Sequence, residues 1–131
     1  MEHLGTSARQ SQKKAYKRNH EIIAFEIDNK KTRKTAKKYR KKVKDVFFGD
    51  ILDFSTVSKA VKESDAVIHL ATISPPVSKK NRQLTMDVNL GGTVNIVDAI
   101  KQNKEHIPFI FTSSASVMGP TQLQDKNVTL L

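Results

Sequence analysis

The sequence predicts an α/β fold in which a parallel sheet is covered by helices on both faces. Two observations support this prediction. Short apolar runs alternate along the chain with segments of helical periodicity, and these runs lack the polar alternation of half-exposed strands. A chain of 131 residues is long enough for one domain with one hydrophobic core. Since no internal repeat is visible, one domain is predicted over residues 1–131.

The elements follow from these patterns in chain order. The apolar runs predict strands buried on both faces near residues 22–27, 46–48, 66–71 and 108–112. Apolar residues at helical spacing predict helices near residues 6–18, 55–63 and 82–103. Ser55 is predicted to cap the second of these helices, and Val57, Ala60 and Val61 share one face of it. Residues 30–44 contain helix formers but almost no apolar stripe, so a helix there is only weakly indicated.

The positive charge of the chain is concentrated near its start. The formal net charge is +10, and ten of the fifteen residues in the stretch KKTRKTAKKYRKKVK, residues 30–44, are lysine or arginine. A patch of this kind can bind phosphate polyanions. A solvated surface helix or loop is the favoured interpretation, because Tyr39 is the one aromatic residue in the stretch and stacking platforms for bases are therefore lacking.

Composition excludes several classes of protein. The chain contains no cysteine, which excludes a disulfide scaffold and a thiolate metal site. No apolar run approaches the ~20 residues that span a membrane, and the first residues lack a signal-peptide core. The four histidines have no ligand spacing, and His69 lies inside a predicted strand, so we expect a core histidine and no metal site. A cytoplasmic protein is predicted.

Acidic, small or hydroxyl residues follow every predicted strand. They are Glu26 and Asp28, then Asp50, then residues 71–74, and finally residues 112–114. Ligands of open parallel sheets bind beyond the carboxyl ends of the strands. Because four strands end in this way, we expect a polar ligand cleft at one edge of the sheet.

Four stretches of the sequence carry a family resemblance: GDILD, DAVIHLAT, DVNLGGTVNIVDA and FIFTSSASVMG. At these spacings they resemble the NAD(P)-dependent epimerase/dehydratase family, the extended short-chain dehydrogenases, over residues 5–119. The resemblance implies a partial Rossmann-like domain that binds NAD and is incomplete at both ends. It also implies an oxidoreductase, epimerase or dehydratase that acts on a nucleotide sugar or a similar hydroxyl or carbonyl substrate by hydride transfer. In the full-length family the active form can be a homodimer.

The resemblance assigns the adenosine half of the cofactor to residues near the first two predicted strands. Glu26, with Asp28 as the alternative, corresponds to the acid that binds the adenosine ribose. A carboxylate at this position favours NAD over NADP because it repels a 2′-phosphate. Asp50 and Ile51 correspond to the residues that hold the adenine.

The resemblance assigns the rest of the cofactor and the substrate to later positions. Eight positions correspond to family residues that contact the pyrophosphate or the nicotinamide ribose, or that support the loops around them. They are Gly5, Ala8, Leu70, Ala71, Thr72, Asn89, Thr112 and Ser113. Ser114 corresponds to the catalytic serine, which hydrogen-bonds the substrate hydroxyl or carbonyl that undergoes hydride transfer. Met118 stands where many relatives have tyrosine.

Two parts of the family pattern have no match in this sequence. The family opens with a strand and a G-x-x-G-x-x-G loop; Gly5 and Ala8 fall on the second and third glycines, and the first strand and first glycine have no counterpart. The family serine works with a Y-x-x-x-K pair, in which the lysine lowers the pKa of the tyrosine. Tyr16 and Tyr39 are the tyrosines of the chain, and neither is followed by lysine four places later. We therefore expect no activity from the chain alone, and whether it is an enzyme stays open.

Two other interpretations also stay open. The chain can be a non-catalytic remnant or binding module in which residues 30–44 bind nucleic acid or another polyanion, although nucleic acid is the less expected partner. The chain can also fail to fold stably alone, because the first strand lies in the middle of the order 3-2-1-4-5-6. Its absence would leave two strand edges unpaired and prone to aggregation.

Overall fold

The structure of the chain is a computed structural model that describes residues 6–103 and 106–113. Within these residues the strands are β1 (Ile23–Glu26), β2 (Asp45–Phe48), β3 (Val67–His69) and β4 (Phe109–Phe111). The α-helices are α1 (Thr6–Lys17), α2 (Lys30–Tyr39), α3 (Phe54–Lys62), α4 (Val77–Lys80), α5 (Arg82–Met86) and α6 (Gly92–Asn103). A 3₁₀ turn, Arg40–Lys42, follows α2, and a π-helical segment, Asp87–Gly91, joins α5 to α6. The predicted alternation of strands and helices is confirmed.

The strands pair in parallel, as predicted, but they form two separate sheets. β1 pairs with β2, with Ile23 opposite Asp45. β3 pairs with β4, with Val67 opposite Phe109. The four strands are therefore not joined in one sheet within the described part of the chain, because no described strand bridges β1 and β3.

One hydrophobic core joins the two sheets. Its centre is the contact between α3 and α6, where Val57, Val61, Ile96 and Ala99 are buried. Side chains from three strands pack against this centre: Phe25, Val67 and Phe109. The predicted apolar face of α3 is confirmed, since Val57, Ala60 and Val61 are 3%, 8% and 5% exposed.

Helices cover both faces of the β1–β2 sheet. Successive side chains of a strand point to opposite faces, so Phe25 meets the α3–α6 core while Glu26 faces α2. There the Tyr39 hydroxyl donates a hydrogen bond of 2.8 Å to Glu26 Oε1. The Arg33 guanidinium lies 4.6 Å from the centre of the Phe48 ring on the same face. This sheet has the predicted layered arrangement.

The β3–β4 sheet is covered on one face by the described residues. Ile68 and Ile110, which are paired across the two strands, are 49% and 56% exposed. The prediction that the strands are buried on both faces is thus wrong for this sheet. The physical reason is that α3 and α6 cover the Val67 and Phe109 side of the strands, and no described helix packs on the other side.

The cap of α3 and the presence of α2 differ from what the sequence indicated. Asp53, rather than Ser55, caps α3, because its Oδ1 accepts a hydrogen bond of 3.0 Å from Ser55 N. The weakly indicated helix in the basic segment is fully formed as α2. Its cap is Asn29, whose side chain accepts from Thr32 N at 2.9 Å while Thr32 Oγ1 accepts from Asn29 N at 3.2 Å. This reciprocal pair forms a capping box in which threonine stands at the third helical position instead of the usual glutamate or glutamine.

Candidate functional site

The loops after β2 and β3 meet at the start of α6. Asn95 Nδ2 donates a hydrogen bond of 3.0 Å to Ile51 O in the loop after β2. In the loop after β3, Ile73 N donates to Asn89 Oδ1 at 2.7 Å, and Asn89 Nδ2 donates back to Ile73 O at 3.1 Å. The carboxyl ends of strands in two different sheets therefore lie at the same end of the molecule.

Asn89 holds its loop from a π-helical segment. The segment Asp87–Gly91 interrupts an otherwise α-helical run from Arg82 to Asn103. Single π-turns inside α-helices occur frequently at functional sites. Asn89 uses both ends of its amide on one residue, Ile73, so the loop is fixed through its backbone whatever side chains it carries.

The variant Asn89→Ala is expected to lower the free energy of unfolding by about 1–3 kcal/mol, since the amide and carbonyl of Ile73 lose their partner. Asn89→Asp is also expected to destabilise the chain, because a carboxylate keeps the acceptor but faces the carbonyl of Ile73 without a proton to donate. Urea denaturation followed by circular dichroism measures both variants. A stability equal to that of the parent would show that the clamp is not formed in solution.

Gly91 and Gly92 pack differently against the loop after β2. A methyl group at Gly92 would lie 2.8 Å from Ile51 Cγ2, whereas one at Gly91 would lie 3.5 Å from Leu52 Cδ2, an ordinary contact. Gly92→Ala is therefore expected to destabilise the chain by about 1–3 kcal/mol through overpacking. Gly91→Ala is its matched control and is expected to stabilise the helix by roughly 0.5–1 kcal/mol. Thermal denaturation compares the two variants, and a stabilising Gly92→Ala would contradict the close approach.

A cavity of about 130 Å³ lies at the carboxyl ends of β3 and β4. Its lining combines small, hydroxyl and amide side chains with two rings: His69, Ala71, Thr72, Asn89, Thr93, Phe111 and Thr112. The loop after β3 contributes Ala71 and Thr72 to this lining, and the end of β4 with the residue after it contributes Phe111 and Thr112. Four of the predicted cofactor residues, Ala71, Thr72, Asn89 and Thr112, therefore line one small cavity.

His69 is the buried polar group of this cavity. Its Nε2 lies 3.0 Å from Thr93 Oγ1, and the Thr93 hydroxyl donates its hydrogen to Asn89 O at 2.7 Å. The hydroxyl must therefore accept from His69, which assigns the ring proton to Nε2. Burial lowers the pKa of His69, so the neutral imidazole is the form that fits the folded chain.

The lowered pKa of His69 predicts a stability that falls on acidification. Below the unfolded pKa of about 6.5 the unfolded chain binds a proton that the folded chain does not, so stability rises with pH through the window just below that value. The slope from this single group is at most about 1.4 kcal/mol per pH unit. His69→Gln keeps a donor toward Thr93 and removes the titration, so its stability should show a flatter profile between pH 5 and 7. An unchanged profile would mean that other groups set the slope.

The acidic residues at or just beyond the ends of β1 and β2 have distinct hydrogen-bond partners. Glu26 is half-buried and engaged by Tyr39. Asp28 is exposed, and its carboxylate accepts from Arg33 Nε at 2.5 Å and from Nη2 at 2.8 Å. The hydrogen bond from Arg33 lowers the pKa of Asp28 below its usual value. Asp50 is exposed, and its Oδ1 accepts from Leu52 N at 2.9 Å, which shapes the turn after β2.

The remaining predicted positions lie at the same loops, in α1, or outside the described residues. Leu70 is half-buried, whereas Ala71, Thr72, Thr112 and Ser113 are exposed. Ala8 belongs to the first turns of α1. Gly5, the serine Ser114 and Met118 lie outside the described residues, so their predicted roles stay predictions. Sequence reasoning missed His69, Thr93 and Asn95 as site residues, although the spacing of Asn89 and Thr93, four residues apart, offered a signal for one of them.

Within residues 6–103 and 106–113, none of the helices has the length and the apolar character that a membrane span requires. The same residues contain no group of three or more histidine, cysteine, aspartate or glutamate side chains that could hold a metal ion.

Parallel strands, flanking helices and polar loops at the strand ends define a Rossmann-like domain. The model of the 3-beta hydroxysteroid dehydrogenase/isomerase family matches residues 13–129. The chain therefore belongs to this family.

A curated relative and two solved structures are similar to the chain. The UDP-glucose 4-epimerase of Mycoplasma genitalium is 32% identical over 106 residues, which cover 79% of this chain and 31% of the relative. Pen from Bacillus thuringiensis superposes with a TM-score of 0.76 at 21% identity, over 89% of this chain and 36% of that one. The UDP-glucose-4-epimerase (galE) of Stenotrophomonas maltophila, solved with NAD and formylated UDP-arabinopyranose, gives 0.71 at 21% identity, over 93% and 38%. The chain thus spans roughly a third of the length of these relatives, and the two structures establish the fold alone.

Proposed function

We propose that residues 1–131 form the cofactor-binding portion of an NAD-dependent epimerase/dehydratase-type oxidoreductase that acts on a nucleotide sugar. The observation that carries this proposal is the meeting of the loops after β2 and β3 at the start of α6, through Asn95 and Asn89. Membership of the family and similarity to an enzyme named for a UDP-sugar support the substrate class. A similar structure that holds NAD supports the cofactor.

Asp28 fits the ribose better than Glu26 does. The Glu26 carboxylate is half-buried under α2 and engaged by Tyr39, whereas Asp28 is exposed two residues beyond the end of β1. A carboxylate has about four lone-pair sites, so Asp28 retains acceptor capacity beside its two contacts with Arg33. We therefore place the ribose hydroxyls at Asp28 and assign Glu26 to fixing α2 on the sheet.

The loop after β2 fits the adenine. Asp50 is held by the turn amide of Leu52, and the carbonyl of Ile51 is held by Asn95. Both residues of the GDI motif are therefore oriented before any ligand arrives, which reduces the ordering cost of binding. For the pyrophosphate, Gly5 and Ala8 correspond to the family's glycine loop on the N-terminal side of α1, and the amides of a helix start attract anions.

The cavity between the β3 and β4 loops fits the nicotinamide side. Ala71, Thr72 and Thr112 line this cavity, and Ser113 and Ser114 follow Thr112 in the chain. NAD, when bound, supplies the acceptor and donor of hydride. In this proposal Thr112 and Ser113 orient the cofactor, and the Ser114 hydroxyl positions the reacting hydroxyl or carbonyl of the substrate.

A titration of the chain with NAD tests the proposal. Isothermal calorimetry should detect weak binding at millimolar NAD, and Asp50→Asn should abolish it while preserving stability, because asparagine keeps the Oδ1 acceptor for Leu52 N. Glu26→Gln is the matched control and should leave the binding heat unchanged. Binding that survives Asp50→Asn and Asp28→Asn together would place the cofactor elsewhere.

A further inference from the structure

The basic segment, residues 30–44, folds into an ordered cationic surface. α2 turns Thr32, Ala36 and Tyr39 toward the sheet, where they are buried. Since one face of the helix is used for packing, its lysines and arginines occupy the lateral and outer faces. The surface is therefore a fixed array of charges on a helix rather than a flexible tail.

Most of these cations form no ion pair with an acidic residue in the part of the chain that the structure describes. Arg33 pairs with Asp28, Arg40 with Asp45, and Lys44 with Glu21. The seven other cations are exposed lysines that make no ion pair with any described residue: Lys30, Lys31, Lys34, Lys37, Lys38, Lys41 and Lys42. Clustered like charges repel one another, so a polyanion that neutralises them stabilises the surface.

A groove of about 450 Å³ runs between α2 and strand β2. One wall is cationic and the floor is apolar: Arg33, Lys37 and Arg40 stand above Ala36, Val46 and Phe48. The three cations are four and three residues apart, so they lie on one side of the helix, one per turn. An anion with an attached flat apolar group matches both parts of this groove.

We propose that this groove, together with the seven exposed lysines of residues 30–44, binds single-stranded nucleic acid without sequence specificity. The lysines contact successive phosphates, and one base enters the groove against Phe48 and the guanidinium of Arg33. Tyr39 is the one aromatic residue of residues 30–44, and it is buried, so the segment itself offers no ring on which a base can stack. Phe48 of β2 supplies a ring in the groove instead, and its centre lies 4.6 Å from the guanidinium carbon of Arg33. A duplex keeps its bases stacked inside, so a single strand is the preferred ligand.

The test is the fluorescence anisotropy of a labelled 12-nucleotide oligouridylate titrated with the whole chain at several salt concentrations. The triple variant Lys34→Gln, Lys37→Gln, Lys41→Gln should bind at least about tenfold more weakly at low salt, and its slope of log K against log salt should fall by about 2, because each phosphate contact contributes ~0.7. Circular dichroism checks that the fold is kept, which is expected because all three side chains are exposed.

A matched control removes the same charge elsewhere. Lys59→Gln, Lys62→Gln, Lys101→Gln alters exposed lysines of α3 and α6, and it should change the affinity by less than about twofold. Phe48→Leu keeps an apolar floor without a ring, and it should weaken binding of the single strand while leaving the salt slope intact. Equal losses in the two triple variants would overturn the proposal. Equal affinity for a duplex of the same length would also overturn the proposal. Displacement of the oligouridylate by inorganic polyphosphate at equal phosphate concentration would do the same, because either result would show that base contacts are not used.

Discussion

The isolated 131-residue chain is expected to show no epimerase, dehydratase or dehydrogenase turnover, even at millimolar NAD. General acid–base catalysis is typically worth about 10²–10⁴-fold, and the family draws it from a tyrosine whose pKa a lysine lowers. Tyr39 is in the opposite situation. It is buried and donates to Glu26, and burial together with that carboxylate raises its pKa far above the ordinary value. Ser114 cannot replace the pair, since an unassisted serine hydroxyl is a poor base near neutral pH.

The measurement follows the absorbance of reduced cofactor and the interconversion of UDP-glucose and UDP-galactose, with an intact UDP-glucose 4-epimerase as the positive control. Tyr16→Phe and Tyr39→Phe should be as inactive as the parent chain. Turnover above the background of the assay, lost in either variant, would show that the acid–base group has been assigned wrongly.

Ile96→Ala is expected to remove most of the stability of the fold, by about 2–5 kcal/mol, because it opens a cavity at the centre of the core. Ile96 is 7% exposed and packs with Val57, Val61 and Ala99 between α3 and α6. The same cluster contacts β1, β3 and β4, so its loss separates the two sheets as well as the two helices. Typical domains are stable by only about 5–15 kcal/mol, and a chain with two narrow sheets has little reserve.

Val94→Ala on the same helix is the control. Val94 is 46% exposed, so its truncation should change the free energy of unfolding by less than about 0.5 kcal/mol. Urea denaturation followed by circular dichroism compares both variants with the parent. A loss of similar size in the two variants would mean that α6 contributes through helix propensity and not through the core.

The sequence by itself determined which segments are strands and helices. The apolar runs at Ile22–Ile27 and Ala66–Ala71 contain β1 and β3, and the spacing of Val57, Ala60 and Val61 located the buried face of α3. These features depend on periodicity and burial, which are local properties of the chain. The GDI, HLAT and VNLGGT motifs likewise identified the family that the family model matches.

The tertiary structure alone decided how these pieces meet. Parallel strands are joined by distant segments, so the periodicity of the sequence does not show which strands pair, and the separation into β1–β2 and β3–β4 was indicated only by the strand order of the family. The same limit hid the engagement of Glu26 by Tyr39, the clamp of Asn89 on Ile73, and the presence of Phe48 beside Arg33. Each of these contacts joins residues at least thirteen positions apart, and one side chain could have found several partners of the same chemistry. Only the packing of α2 and α6 on the sheets selects among those partners, because close packing admits one arrangement of side chains at a time.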